Sequence, residues 1–424
     1  MGKTIAEKIF AAHCHKEVRA GDMVVIDVDK CMGHDANGPL AIEYFYQLKG
    51  KRLFSPSDFS LYIDHYVPCP NESVAKIHQF CRDFAKEQQC NFYDAGEGVC
   101  HQLMMEQGQG KPGQIVIGTD SHTCTYGALN CFASGVGSTD VAGIMLTGKM
   151  WAKVPESMKI VLLGKLPAYV GAKDIILTLA RMIKAAGATY QSMEFVGDGA
   201  QSLSVEERMT IANMAVELGA KAGLFLFDQK SVDWFNKHEI ALDTEPVVPD
   251  EDATYSKVIT IDLSTVTPQI AMPHTVDNVV DVRALAGMKF EQASLGTCTN
   301  GRLSDLALVR DIVVGKKVYP GMRFYVFPAS RSIYSEALDA GIIKDLFEAG
   351  AIIGTPGCGS CIGACNGIPG NGDKVLSTAN RNFRGRMGNP NAEIYLVSPE
   401  TLACSILTGV VTDPTDWMGG GIRQ

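Results

Sequence analysis

The chain is predicted to be an α/β protein built from parallel or mixed sheets packed in layers. Short strand-like runs alternate with helical periodicity almost throughout. Polar loops rich in acids and histidines follow several of those runs, which is where α/β sheets bind ligands. With 424 residues, 46% of them hydrophobic and 20% charged, the chain has core enough for two or three domains.

In chain order, Gln114-Ile115-Val116-Ile117 reads as a buried strand opening into the polar loop Gly118-Thr119-Asp120-Ser121-His122-Thr123. A second buried strand, Lys159-Ile160-Val161-Leu162-Leu163, marks a change of domain near residue 158. After it, Asp174 is the expected N-cap of a helix with the apolar stripe Ile176, Leu179, Ala180 and Ile183. Ser204-Val205-Glu206-Glu207 has capping-box spacing, and its helix runs through Met209 and Ala212 to a terminator at Gly219. The acidic, proline-containing stretch from Asp243 to Asp252 reads as a linker. Domains are therefore expected at 1–157, 158–245 and 246–424. In the last, Phe324-Tyr325-Val326-Phe327 is a strand ending at Pro328, and Gly354 to Gly372 is an irregular loop.

A net charge of −9 argues against nucleic acid as a main partner, since phosphate binding needs a clustered basic face. The opening Met1-Gly2-Lys3-Thr4-Ile5-Ala6-Glu7-Lys8 has no apolar targeting core, and Ala6 stands where a myristoylation signal wants Ser or Thr. No membrane segment is expected. Thirteen scattered cysteines without a leader do not suggest a disulfide framework, so the reading is a reducing, cytoplasmic compartment.

Three cysteines stand apart by their glycine-rich settings: Cys298 in Gly296-Thr297-Cys298-Thr299-Asn300, and Cys358 with Cys361 in Gly357-Cys358-Gly359-Ser360-Cys361-Ile362-Gly363. Thiolates are soft ligands suited to iron–sulfur centres, and flanking glycines leave room and amide donors for inorganic sulfide. Three protein ligands would leave one iron open to substrate oxygen, making a Lewis acid of a redox centre. A lone C-x-x-C is more often a redox dithiol or half a zinc site, but no second C-x-x-C is present. Cys365, four residues beyond Cys361, offers a fourth ligand and would close the cluster for electron transfer.

Polar pairs of a kind that cores seldom need lie elsewhere: Asp64-His65 among Tyr62, Ile63, Tyr66 and Val67; His101 in Val99-Cys100-His101-Gln102; and Asp120-Ser121-His122. Each has a structural reading as well, as a satisfied core histidine or a capped turn. Asn380-Arg381-Asn382-Phe383-Arg384-Gly385-Arg386 packs three arginines closely; such a run is usually a solvated face, yet arginine also grips carboxylates with paired donors.

Taken together, four ordered motifs resemble the aconitase superfamily: Gly118 to Thr123, Cys298-Thr299-Asn300, Cys358 to Gly363, and Asn380 to Arg386. The resemblance covers nearly the whole chain, which stops where single-chain aconitases continue into a swivelling fourth domain. It implies a three-domain aconitase-like core of α/β/α layers without that fourth domain. It also implies the large subunit of a split enzyme of the isopropylmalate dehydratase type, with homoaconitase and 2,3-dimethylmalate dehydratase as neighbouring branches. Pro39, where citrate-specific members tend to carry glutamine, favours that split branch. Ser360, a position commonly proline in relatives, and the segment Ala364 to Gly367 depart from the family pattern.

What the resemblance implies for chemistry is reversible dehydration and rehydration of a hydroxy dicarboxylate. It implies one [4Fe–4S] cluster on Cys298, Cys358 and Cys361, with one iron lacking a cysteine, and leaves Cys365 a bystander. His65, oriented by Asp64, would donate the proton to the departing oxygen. Asp120, His122 and His101, with Glu194 as a further candidate, would hold the water or hydroxyl. Ser121, Asn300, Asn380, Arg381 and Arg386 would bind substrate or cluster sulfur. The base that removes the carbon proton would be a serine on a separate small subunit, which predicts that this chain alone is inactive. Two readings from other classes are an electron carrier completed by Cys365 and a cluster-sensing RNA regulator.

Overall fold

In the computed structural model, which describes residues 2–419, three predominantly parallel sheets follow one another along the chain. The first has five parallel strands in the spatial order Asn91–Tyr93, Phe59–Tyr62, Lys30–His34, Ile115–Gly118 and Phe132–Gly135. All four residues of Ile115–Gly118 are buried, so both faces are covered and the strand reads as a continuous apolar run without alternation. An antiparallel ribbon of Met23–Asp27 and Lys149–Lys153 lies apart from it.

The second sheet is parallel and four-stranded, ordered Ala222–Phe225, Ser192–Val196, Ser157–Leu163 and Lys257–Asp262. Its last strand lies beyond the acidic stretch expected as a linker, so strands of the third sheet begin only at Gln269. That stretch has no helix or strand, and Val247 N–H donates to Asn130 Oδ1 at 2.7 Å, which ties it to the loop beside the first sheet.

The third sheet has seven strands in the order Val279–Asp281, Gln269–Ala271, Glu393–Leu396, Lys374–Ser377, Gln292–Gly296, Arg323–Phe327 and Ala351–Ile353. The last five are parallel, and the first two add an antiparallel edge. One continuous apolar core joins the second and third sheets and reaches the first through Met32, Tyr62, Val116 and Ala133, while a second core gathers the alternate residues of the first, among them Leu61, Ile115 and Ile117.

Local sequence signals account for several boundaries. Ser204 Oγ accepts from Glu207 N–H at 3.2 Å and Glu207 Oε2 accepts from Ser204 N–H at 2.7 Å, starting helix Val205–Met214. That helix tightens into the 3₁₀ turn Ala215–Leu218 and stops at Gly219, whose φ of 89° suits glycine. Asp174 is not an N-cap. Helix Ala172–Ile183 starts from Gly171, and the Asp174 carboxylate reaches back from the first turn to Gly171 N–H at 2.9 Å while its other oxygen takes Gln269 N–H at 2.8 Å. Among the described residues no helix is long and apolar enough to cross a membrane.

Candidate active site

Two sheets repeat one topological device. In the first, the chain starts at Lys30–His34, moves outward to Phe59–Tyr62 and Asn91–Tyr93, then returns to lay Ile115–Gly118 on the other side of its starting strand. In the parallel part of the third, it starts at Gln292–Gly296, moves out through Arg323–Phe327 and Ala351–Ile353, and returns at Lys374–Ser377. Loops leaving the two central strands of such a sheet diverge and open a crevice at their carboxyl ends. Both crevices carry the chemistry: His34, Asp64, His65 and Asp120 follow strands of the first sheet, and Cys298, Cys358, Cys361 and Asn380 follow strands of the third.

His65 lies between carboxylates. Its Nδ1 is 2.6 Å from Asp64 Oδ1 and its Nε2 is 3.5 Å from Asp120 Oδ2. Burial opposes the imidazolium, but the charges of Asp64 and Asp120 outweigh it and hold the His65 pKa well above the ordinary value. Asp64 is driven the other way, kept ionised against burial by His65 and by Cys100 N–H, which donates to Oδ2 at 2.7 Å. Asp35 secures the turn, its two oxygens accepting from His65 N–H at 2.9 Å, Tyr66 N–H at 3.0 Å and His78 Nε2 at 3.0 Å. The ligand atoms of His34, Asp35, Asp64 and His65 lie within 4.8 Å of one another. Their lone pairs are largely committed to these bonds, so the group is an acid–base network and not a cage for an ion.

Asp120 collects the other histidines. Oδ1 accepts from His101 Nε2 at 2.8 Å and from His122 N–H at 2.7 Å, with His122 Nδ1 at 3.2 Å. These contacts overcome burial and hold Asp120 well below the usual carboxylate range. His101 Nδ1 meets the Tyr126 hydroxyl at 3.2 Å. His122 Nε2 continues to Glu217 Oε1 at 2.9 Å, and Arg381 Nε donates to that same oxygen at 2.6 Å. Burial would raise the Glu217 pKa, yet His122 and Arg381 lower it. Burial and Arg381 push His122 down, while its bonds to Asp120 and Glu217 leave it raised overall.

Behind this network lie the three thiols, all buried. Cys298 Sγ receives Asn213 Nδ2 at 3.3 Å and Asn380 Nδ2 at 3.4 Å. Cys361 Sγ receives Arg386 Nη2 at 3.0 Å. A hydrogen bond from Cys358 and the Arg386 charge hold Cys361 well below the usual thiol range despite burial. Backbone geometry serves the same end. Gly296 has φ 131°, and a Cβ there would overlap the Phe327 carbonyl. Thr297 next to it is β-branched yet adopts φ 65°, a conformation costly outside functional turns. Soft donors, amide and guanidinium groups aimed at sulfur, and glycine-lined backbone fit a cysteine-held cluster. Cys365 points elsewhere: its Sγ lies 3.2 Å from the Val67 carbonyl and 3.8 Å from that of His65.

An open cavity of about 550 Å³ joins the two halves, lined among others by His34, His65, Asp120, Ser121, Arg381 and Arg386. Arg386 connects it to Cys361, and its buried Nε has no partner of its own. The structure thus brings together Asp64, His65, His101, Asp120, Ser121, His122, Asn380, Arg381, Arg386 and the three cysteines.

Two expected residues lie outside this group. Glu194 sits on a strand of the second sheet, where its oxygens accept from Ile5 N–H at 2.8 Å and the Tyr255 hydroxyl at 2.9 Å, fastening the N-terminal helix Ile5–Cys14; the carboxylate at the site is Glu217. Asn300 spends its amide on Asp305 Oδ1 at 2.9 Å and faces a separate polar cavity with Glu206 and Glu400. Its neighbourhood in sequence to Cys298 suggested otherwise because one helical turn, Thr297–Asn300, rotates it away.

Sequence reasoning also missed Asn213, Glu217, Lys173 and Arg302. Asn213 and Glu217 are four residues apart in a buried apolar stretch, so they share one face, and that spacing was the available signal. Lys173 is fully buried and donates from Nζ to the carbonyls of Thr378 and Ala379 at 2.7 and 2.6 Å, immediately before Asn380; burial draws its pKa down to about 7. Arg302 donates to the Cys298 and Thr299 carbonyls at 2.7 Å each. These two side chains fasten the segments that present Cys298 and Asn380.

The model of the Aconitase family (aconitate hydratase) matches residues 7–292 and 283–409. The chain is 47% identical to 3-isopropylmalate dehydratase large subunit 1 of Thermotoga maritima, over 98% of this chain and 99% of that one. It is 45% identical to large subunit 2 of Archaeoglobus fulgidus and 42% identical to large subunit 1 of Methanopyrus kandleri, each over 99% of this chain and 100% of the relative. In fold it resembles the holo-form of aconitase X from Thermococcus kodakaraensis, with a TM-score of 0.52 at 10% identity, covering 89% of this chain and 88% of that one.

Proposed function

Because the chain belongs to the aconitase family, we infer that it is the large subunit of a hydro-lyase of the 3-isopropylmalate dehydratase type, interconverting 2- and 3-isopropylmalate by loss and return of water. The observation that carries the reading is one cavity in which a histidine between two carboxylates, two arginines and the cysteine loops converge.

Cys298, Cys358 and Cys361 are the residues that would hold a [4Fe–4S] cluster with one iron lacking a cysteine. When bound, the cluster supplies a Lewis acid that weakens the C–O bond. The remaining steps belong to side chains. Hydroxide is a poor leaving group, so the departing oxygen must be protonated, and His65, held as imidazolium by Asp64, donates that proton from Nε2. In the return direction the neutral ring takes the proton back. Asp120 with His101 and His122 orients the water released. Arg381, steadied by Glu217, and Arg386 anchor substrate carboxylates and stabilise the dianion formed when carbon loses its proton. Ser121 adds a hydroxyl at the rim. We assign the base for the carbon proton to a serine on the small subunit, whose swivelling domain would cover the cavity.

The test is reconstitution of the cluster, addition of the small subunit, and side-by-side assay of isopropylmalate, homocitrate and 2,3-dimethylmalate. Turnover of the first by the complex and none by this chain alone is expected. Preference for another acid would move the chain to a neighbouring branch. A cluster whose EPR signal ignores all three acids would point to electron transfer instead.

A further inference from the structure

We propose that the outer face of the ribbon formed by Met23–Asp27 and Lys149–Lys153 is a docking surface for the small subunit, which seats an apolar side chain beside Trp151 and sets carboxylates against Lys153 and Lys221. The inference rests on the function proposed above, which calls for a second subunit over the active cavity, and assigns the surface that holds it there.

Side chains alternate across a strand, so Met23, Val25 and Asp27 share a face with the residues paired to them, Lys153, Trp151 and Lys149. The opposite face, with Val24, Ile26 and Ala152, is packed into the apolar core of the first sheet. The outer face has no such cover: Met23, Val25 and Trp151 are 59%, 58% and 61% exposed. Single exposed apolar residues are ordinary, but here a methionine, a valine and a tryptophan adjoin. A contiguous apolar face with a charged border is the pattern of a protein interface. Trp151 also walls a groove of about 210 Å³ lined with Phe10 and Phe132, which can take an apolar side chain.

Position selects the occupant. Val136, Gly137 and Lys221 line both this groove and the active cavity, so the two are neighbours on one surface. A specific interface takes about 800 Å² from each partner, so a subunit that closes the cavity has to rest on the surface beside it. A second copy of this chain seated in the groove would stand in the way of that cover. Charge adds the chemistry of the contact. Lys149 is paired with Asp27 at 2.5 Å, while Lys153 and Lys221 make no ion pair among the described residues, and the groove has Asp140 as its one carboxylate. The border is therefore positive and complements acids on the partner.

The cluster-loaded chain and its variants are titrated with the small subunit, reading complex formation by sedimentation velocity and turnover of 3-isopropylmalate against small-subunit concentration. Truncating a central interface tryptophan weakens association roughly thirtyfold or more. Trp151→Ala is expected to raise the small-subunit concentration for half-maximal turnover by that factor, with the plateau rate, cluster absorbance and melting temperature of the parent. Lys153→Glu should slow association and reduce its salt dependence. Phe347→Ala, which truncates a side chain 68% exposed on helix Ile342–Ala349, should associate as the parent does. Half-saturation of Trp151→Ala at the parent's concentration would overturn the assignment; should that variant melt below the parent, Val25→Ser on the paired strand decides on the same terms. Equal association of parent and Lys153→Glu would overturn the charged contact. A parent chain that dimerises by itself, with Trp151→Ala monomeric, would make the occupant a second copy and overturn the proposal. A parent complex that assembles but acts on another acid would refute the proposed substrate and leave the docking comparison standing; a parent that binds no small subunit would refute both.

Discussion

Replacing Asp64 by Asn puts the proton-donating role of His65 to its most direct test. The parent carboxylate makes two bonds at once, to His65 Nδ1 at 2.6 Å and to Cys100 N–H at 2.7 Å. An asparagine can satisfy only one with its oxygen, so its NH₂ must face the other donor. Setting that NH₂ against the Nδ1–H of the imidazolium costs about 1–3 kcal/mol, a clash the neutral ring escapes by accepting at Nδ1. A second effect has the same sign. Losing a charge-assisted hydrogen bond worth about 1.5–3 kcal/mol removes a preference for imidazolium equivalent to one or two pH units. Burial then disfavours the charged ring, with Asp120 at 3.5 Å its remaining charged neighbour along Nε2.

The consequence for activity has a definite sign. His65 has a folded pKa above its unfolded value, so the stability it contributes is complete below the unfolded value near 6.5 and is lost as pH rises through the folded value. Proton donation follows the same titration. In the parent complex the alkaline limb of kcat/KM should therefore lie above neutrality. Asp64→Asn should move that limb down by about one pH unit or more, with a loss of roughly a hundredfold at pH 8. The assay is the pH profile of 3-isopropylmalate turnover, alongside denaturant unfolding at pH 6 and pH 9. A profile lowered uniformly, with its limb unmoved, would mean that Asp64 only shapes the loop and that another group donates the proton.

Glu217→Gln leaves Arg381 and His122 without their shared anion. Because Arg381 is partly exposed, the loss of stability is expected near the lower end of the roughly 3–5 kcal/mol typical of a broken buried pair, with a raised KM, read by urea unfolding and steady-state kinetics. Cys365→Ser should leave cluster content and EPR signal as in the parent, since its thiol turns to the Val67 carbonyl; loss of the cluster would make it a ligand after all. Glu400 is held protonated, its pKa pushed up to about 8 by burial and by Asp174. A carboxyl with a raised folded pKa costs the fold about 1.4 kcal/mol per pH unit as pH climbs from the unfolded value near 4.3 toward the folded one. Glu400→Gln should flatten that decline between pH 5 and 8 in urea titrations, and an unchanged slope would show that Glu400 is ionised in the folded chain.

How much of this was legible follows from where each residue sits. Residues that stand on loops immediately after strands, such as Asp64-His65, Asp120-Ser121-His122 and Cys298, announce themselves, because a polar cluster ending an apolar run has few structural uses. Asn213 and Glu217 were harder to see, since they lie within a helix and the turn that continues it, where an amide or acid normally reads as solvated surface. Only three-dimensional closure shows that this helix is buried against the 3₁₀ helix Ser121–Leu129 and so turns its polar face to Cys298 and His122. Glu194 fails for the converse reason. It is an acid in an apolar strand, the pattern expected of a functional carboxylate, but the N-terminal helix and Tyr255 supply the donors it needs. The paired crevices explain why the motifs are scattered over the chain. A strand order that reverses about its first strand leaves one gap per sheet, so a site made from two such sheets draws its acid–base groups from one and its sulfur ligands from the other. Residues that hold the two halves together, Glu217 to Arg381 and Asn213 to Asn380, must then come from the segment between them, which no motif confined to a single loop could reveal.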